Sequence, residues 1–181
     1  MAEVILYTGG ARSGKSSLAL KRAEEIGFRK LFVATCPVVD GEMTERVRRH
    51  KLERCGRDWE TIECERELAG LFPTPAEQFQ VVLIDCLTLW VNNLLYHAES
   101  ASATINDDVV TAACGRWLAA TDAYHGTLIC VTNEVGLGIV PDNPLARRYR
   151  DLVGTCNQII AAKAKEVVLV SCGLPLYLKK E

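Results

Sequence analysis

The residues Gly9-Gly10-Ala11-Arg12-Ser13-Gly14-Lys15-Ser16 have the types and spacing that hold a polyphosphate, Gly-x4-Gly-Lys-Ser. A β-rich run, Val4-Ile5-Leu6-Tyr7-Thr8, precedes them, and helix-forming residues 17–23 follow. Strand, glycine loop and helix is the geometry the chemistry needs. The loop turns backbone N–H groups inward, and the helix N-terminus adds partial positive charge. Glycine is required where a Cβ would block the approach of the phosphates or where φ must be positive. In such a loop Lys15 reaches the β- and γ-phosphates and the Ser16 hydroxyl ligates Mg²⁺.

Three further groups can carry chemistry. Asp85 ends the apolar run Val81-Val82-Leu83-Ile84, where a carboxylate can hold Mg²⁺ or its water shell; the other reading is a cap for the following helix. Glu134 can orient a substrate hydroxyl, a water or an arginine, or simply cap a turn. The segment Glu45-Arg46-Val47-Arg48-Arg49-His50-Lys51-Leu52-Glu53-Arg54 is densely basic. On a helix Arg46, Arg49, His50 and Arg54 share one broad face. Neighbouring cations disfavour imidazolium and keep His50 neutral, and so nucleophilic, while drawing in phosphate. That suits a histidine that attacks phosphorus and forms a phosphoramidate. The competing reading is a solvated charged helix. Glu63 either contacts a ribose or base or begins a helix over 63–71. His97 and His125 are assigned no role. There is no Gly-x-Ser-x-Gly elbow, zinc-protease helix motif or dinucleotide glycine fingerprint.

These groups need a scaffold that brings distant segments to one place. Apolar runs recur at 4–8, 31–35, 81–85, 127–132 and 167–171. They are continuous rather than alternating, as strands buried on both faces must be. Helical segments fall at 14–26, 41–55, 87–96, 107–123 and 144–164. This alternation predicts an α/β fold with a mostly parallel sheet and helices on both faces. Asn143 caps the last helix, Pro144 suits its first turn, and Leu145, Tyr149, Leu152, Cys156 and Ile159 follow at helical spacing. Gly173-Leu174-Pro175 predicts a turn, and 176–179 a returning antiparallel edge strand. Residues 99–108 read as a surface loop. Ligands of such sheets bind beyond the carboxyl ends of the strands, which singles out the glycine loop, Ala34-Thr35-Cys36, Asp85, Asn133-Glu134-Val135-Gly136 and Ser171-Cys172-Gly173.

The chain has 181 residues, about half of them apolar, enough for one domain (1–181) with a real core. A net charge of −2 does not suggest nucleic-acid binding. No run of eighteen apolar residues is present, so no membrane span is expected. The sequence enters directly into a strand with no signal peptide, and a cytoplasmic location is expected. The eight cysteines contain no Cys-x-x-Cys pair and read as reduced, buried, small apolar residues.

On these residues alone a small-molecule kinase with His50 on the surface, and a nucleotide-dependent switch, stay open. The arrangement as a whole resembles the bifunctional adenosylcobinamide kinase / adenosylcobinamide-phosphate guanylyltransferase family of cobalamin biosynthesis. The resemblance runs nearly end to end. It rests on Thr8 to Ser16, Ala34-Thr35, Glu42-Met43 leading to Arg46 and His50-Lys51, Trp59 to Glu63, and Asp85-Cys86-Leu87-Thr88 with Asn93-Leu94-Leu95. It continues through Thr132-Asn133-Glu134-Val135-Gly136, Gly138-Ile139-Val140-Pro141, Asn143, Leu145-Ala146-Arg147, Arg150-Asp151, Gly154 and Asn157-Gln158.

The resemblance implies a RecA-like P-loop domain, a homotrimer, and two reactions. A nucleoside triphosphate, ATP or GTP, phosphorylates the primary hydroxyl of adenosylcobinamide. GTP then gives its GMP moiety to that phosphate through a guanylylated histidine, here His50. Nucleotide contacts carry over to Gly9, Gly10, Ala11, Arg12, Ser13, Gly14, Lys15, Ser16, Ala34, Thr35, Cys36, Lys51, Leu52, Glu53, Arg54, Glu63 and Asp85. Ser16 and Asp85 are the expected Mg²⁺ ligands.

Overall fold

A computed structural model of the protein describes residues 1–37, 56 and 58–180. The strands are β1 (Glu3–Gly9), β2 (Lys30–Ala34), β3 (Trp59–Glu63), β4 (Val81–Asp85), β5 (Thr127–Val131), β6 (Glu166–Ser171) and β7 (Leu174–Lys180). The helices are α1 (Lys15–Ile26), α2 (Leu87–Ser100), α3 (Asp107–Ala120) and α4 (Pro144–Lys163). All the strands form one sheet in the order β3-β2-β4-β5-β1-β6-β7. Every pairing is parallel except the antiparallel β6–β7 hairpin. This is the expected α/β phosphate-loop architecture.

Alternate side chains of the central strands enter two cores. Ile5, Tyr7, Phe32, Leu83, Ile129, Val131, Val168 and Val170 pack with Ala19, Leu20 and Ala23 of α1. Val4, Leu6, Leu31, Val33, Val82, Ile84, Leu128 and Cys130 pack with residues of α2, α3 and α4, among them Leu87, Trp90, Trp117, Leu152, Cys156 and Ile160. Being buried on both faces is why these strands read as unbroken apolar runs. No helix of the described residues is long and apolar enough to cross a membrane.

Several boundaries differ from the sequence reading. The helix expected over 63–71 is absent: Glu63 closes β3, and only a short 3-10 turn, Leu68–Leu71, follows. Helix α2 continues past Tyr96 to Ser100. Helix α3 ends at Ala120 and tightens into a 3-10 turn, Thr121–Ala123. The last turn sits at Cys172-Gly173, both with positive φ (52° and 79°), and β7 begins at Leu174. Two left-handed residues match the right-handed twist of a hairpin, and Pro175 is tolerated because β7 is an edge strand. Asn143 does cap α4, its side chain accepting from the Ala146 N–H at 2.8 Å. The buried face of that helix is Leu152, Val153, Cys156 and Ile160, while Leu145 is exposed. The expected helix 41–55 lies outside the described residues.

Of the cysteines, Cys86, Cys114, Cys130 and Cys156 are buried thiols, as expected. Cys36 and Cys64 are half-buried, and Cys172 at the hairpin turn is exposed, contrary to that reading. The Cys114 and Cys156 sulfurs are 3.7 Å apart, a contact rather than a bond of about 2.05 Å. Cys55 lies outside the described residues.

Candidate active site

Sheet register fixes the frame of the site. Glu63, Ala34, Asp85, Val131 and Tyr7 form one row across β3, β2, β4, β5 and β1, near the carboxyl ends of the strands. Side chains in one row share a face, and Tyr7, Ala34 and Val131 belong to the α1 core. Asp85 and Glu63 therefore lie on the side of the sheet that carries the phosphate loop and α1. Strand β5 separates the row positions of Asp85 and Tyr7, roughly 10 Å at ordinary strand spacing.

The phosphate loop is held from two directions. Gly9 has φ 153°, and a Cβ there would lie 2.3 Å from the Val170 carbonyl oxygen. The loop thus starts against β6 with no room for a side chain. Arg12 is left-handed (φ 58°), and Gly14, at φ 94°, is the N-cap of α1. The Gly173 N–H, in the β6–β7 turn, donates to the Ser13 carbonyl at 2.8 Å. The loop is therefore braced by the sheet's antiparallel edge hairpin. Lys15 is buried, and its Nζ donates to the Gly10 carbonyl at 3.0 Å, keeping the ammonium within the loop. The Ser13 hydroxyl oxygen is buried with no hydrogen-bond partner among the described residues. Gly10, Ala11 and Arg12 are exposed, and Ser16 is half-buried in the first turn of α1.

Asp85 is half-buried at the end of β4. The N-cap position of α2 belongs to Cys86, with no side-chain cap, so Asp85 is not the helix cap. Burial pushes the Cys86 thiol up to about 11; the Asp85 charge adds to the rise and the Lys15 charge opposes it. The Asp85 carboxylate and the Lys15 ammonium thus both act on one thiol, which draws the β4 end and the loop into one electrostatic neighbourhood.

Thr35 is fully buried, and its hydroxyl both donates to the Cys86 carbonyl and accepts from the Cys86 N–H, each at 2.8 Å. Its carbonyl accepts from Asn93 Nδ2 at 2.7 Å. Thr35 seats the junction that carries Asp85. Ala34 lies beside it in the row, and Cys36, half-buried, donates to the Pro37 carbonyl at 3.4 Å. Glu63 is exposed at the end of β3. His50, Lys51, Leu52, Glu53 and Arg54 lie outside the described residues.

On the opposite side of the same edge is a polar network to which sequence reasoning assigned no joint role. Glu134 Oε1 accepts from the Thr8 hydroxyl at 2.5 Å and from Asn157 Nδ2 at 3.3 Å. Asn157 also donates to the Asn133 carbonyl at 3.1 Å and accepts from the Thr132 hydroxyl at 2.7 Å. The Thr132 and Thr88 hydroxyls are 3.3 Å apart, and Thr88 accepts from both the backbone and side-chain N–H groups of Asn133. The Glu134 N–H donates to the Gly9 carbonyl at 3.2 Å, tying this network to the start of the loop. The available signal was a set of polar residues ending or flanking apolar runs, Thr8, Thr132 and Asn157.

Fold and loop together define an α/β domain of the P-loop class. The family model for cobinamide kinase / cobinamide phosphate guanyltransferase matches residues 5–178. The bifunctional adenosylcobalamin biosynthesis protein CobP of Pseudomonas aeruginosa is 38% identical over 176 residues, 97% of each chain. The bifunctional protein CobU of Salmonella typhimurium is 38% identical over 192 residues, covering 97% of this chain and 99% of its own. CobU of Escherichia coli is 36% identical over 185 residues, with the same coverage. The chain belongs to the cobinamide kinase / cobinamide phosphate guanyltransferase family.

Proposed function

We propose that this chain, acting as a single domain over 1–181, performs two successive transfers at the carboxyl edge of its sheet. In the first, the γ-phosphoryl group of ATP or GTP passes to the primary hydroxyl on the aminopropanol arm of adenosylcobinamide. In the second, GTP gives GMP to the new phosphate, forming adenosylcobinamide-GDP and pyrophosphate. The observation that carries the reading is the braced phosphate loop with Lys15 inside it, in a chain that matches the family over nearly its whole length.

Gly9 to Ser16 bind the phosphates through backbone N–H groups, and Lys15 offsets the charge developing on them. Ala34, Thr35, Cys36, Glu63 and the segment Lys51, Leu52, Glu53 and Arg54 complete the nucleotide site. Ser16 and Asp85 are oxygen donors of the kind Mg²⁺ prefers. That suits an ion held by one or two protein oxygens and the substrate phosphates. When bound, Mg²⁺ supplies charge neutralisation at the phosphates.

A phosphate monoester attacks phosphorus poorly, because anion meets anion. A histidine intermediate splits that displacement into two, each with a good leaving group. His50 is the nucleophile in this reading. GTP labelled at the α-phosphate gives an acid-labile, base-stable protein adduct that disappears in His50→Ala. An adduct that persists in that variant removes His50 from the role.

The reading extends to a homo-oligomer, a trimer by family resemblance, in the cytoplasm where the nucleotides are. Edge strand β7 exposes Leu174, Leu176, Tyr177 and Leu178 and a row of backbone groups able to pair, which favours a second copy of the chain there. Light scattering on the purified protein gives the stoichiometry. A monomer at all concentrations removes this part of the reading.

A further inference from the structure

We propose that Glu134 accepts the proton of the acceptor hydroxyl in the phosphorylation step, an assignment that rests on the kinase reading above. Position comes first. The Glu134 N–H is bonded to the Gly9 carbonyl, and the Lys15 ammonium to the carbonyl of Gly10, the next residue. In a phosphate loop that ammonium reaches the β- and γ-phosphates. The Glu134 main chain therefore lies against the start of the loop that holds the β- and γ-phosphates.

Orientation is the second argument. Oε1 is pinned by Thr8 and Asn157, and Asn157 is itself fixed by Thr132 and the Asn133 carbonyl. No described residue bonds Oε2. The donors holding the carboxylate are neutral, and no described cation pairs with it, so among the described residues it is an oriented acceptor. The residue is half-buried. Asp85 lies in the row on the α1 side, and Glu63 two strands beyond it. Among the described residues Glu134 is thus the carboxylate on the α4 side of the edge next to the loop, which leaves Asp85 to the metal.

The step balances simply. The hydroxyl oxygen forms a bond to the γ-phosphorus, and the bond from that phosphorus to the β–γ bridging oxygen breaks. The electron pair leaves with the nucleoside diphosphate. The hydroxyl proton passes to Oε2 and then to water. The guanylyl transfer has no hydroxyl proton to remove, because its acceptor is already a phosphate.

The two reactions can be measured apart. Adenosylcobinamide tests the first, and synthetic adenosylcobinamide phosphate with GTP tests the second without it. Glu134→Gln keeps the size and the Oε1 acceptor. It should lower kcat for phosphorylation by about 10²-fold or more while nucleotide KM and the guanylyl transfer change less than about threefold. Glu134→Asp, which keeps the charge but retracts it, should fall between Glu134→Gln and the native enzyme. Native phosphorylation in Glu134→Gln, or an equal fall in both reactions, overturns the assignment. A native protein that leaves adenosylcobinamide unphosphorylated overturns the kinase reading itself, and this assignment with it.

Discussion

The two sides of the sheet's carboxyl edge are built on opposite principles. On the α1 side a polar group stands unsatisfied: the Ser13 hydroxyl is buried with no partner among the described residues. On the α4 side Thr8, Thr88, Thr132, Asn133, Glu134 and Asn157 are bonded to one another. A buried polar atom without a partner is costly, so it persists where a ligand supplies the missing bond. A saturated network persists because it fixes one geometry. In the proposed reading the first side binds and neutralises phosphate, and the second holds one carboxylate at a set angle.

Substitutions can break this contrast. The largest effect is expected from Lys15→Ala, which should lower both transfers by about 10²–10³-fold, the scale of removing one preorganised charge-stabilising group. Steady-state rates of the two reactions check it, and full phosphorylation by the variant would move the kinase step away from this loop. At the seam between the sides, Gly9→Ala forces a Cβ to 2.3 Å from the Val170 oxygen. A loss of about 3 kcal/mol in urea unfolding is expected. On the saturated side, Asn157→Ala removes the partner of the Asn133 carbonyl and one of the two partners of the Thr132 hydroxyl and should cost about 1–3 kcal/mol. An unfolding midpoint equal to the native one would mean the network is not rigid. The smallest effect belongs to Lys163→Ala. It removes an exposed ion pair to Asp122 (3.2 Å) and should change stability by less than about 1 kcal/mol.

How far the sequence announced all this depends on how local each feature is. The phosphate loop lies within one short stretch, so its motif was legible. Strands β1, β2, β4, β5 and β6 were legible because burial on both faces leaves unbroken apolar runs. Strand β3, Trp-Glu-Thr-Ile-Glu, was not: it is an edge strand with only Trp59 and Ile62 half-buried. Its last residue therefore read as the start of a helix. The β6–β7 turn was displaced because Cys172 adopts a left-handed conformation that a non-glycine residue seldom takes, while Pro175 sits on an edge where it costs no ladder bond. Helix α2 outran its prediction because its last turn, His97-Ala98-Glu99-Ser100, adds only the half-buried Ala98 to the apolar face. The Thr8–Glu134 contact joins residues 126 apart. No local pattern encodes such a pair; it follows from β1 and β5 lying side by side.

The central claim is that one protein performs both transfers, and the product records it. Adenosylcobinamide is incubated with the protein, ATP and GTP both labelled at the γ-phosphate, and the GTP labelled also at the α-phosphate with a second isotope. The account predicts both labels in equal amounts in a single product, with pyrophosphate free of the α-label released from the GTP. A product carrying only the γ-label, or neither label, would contradict it.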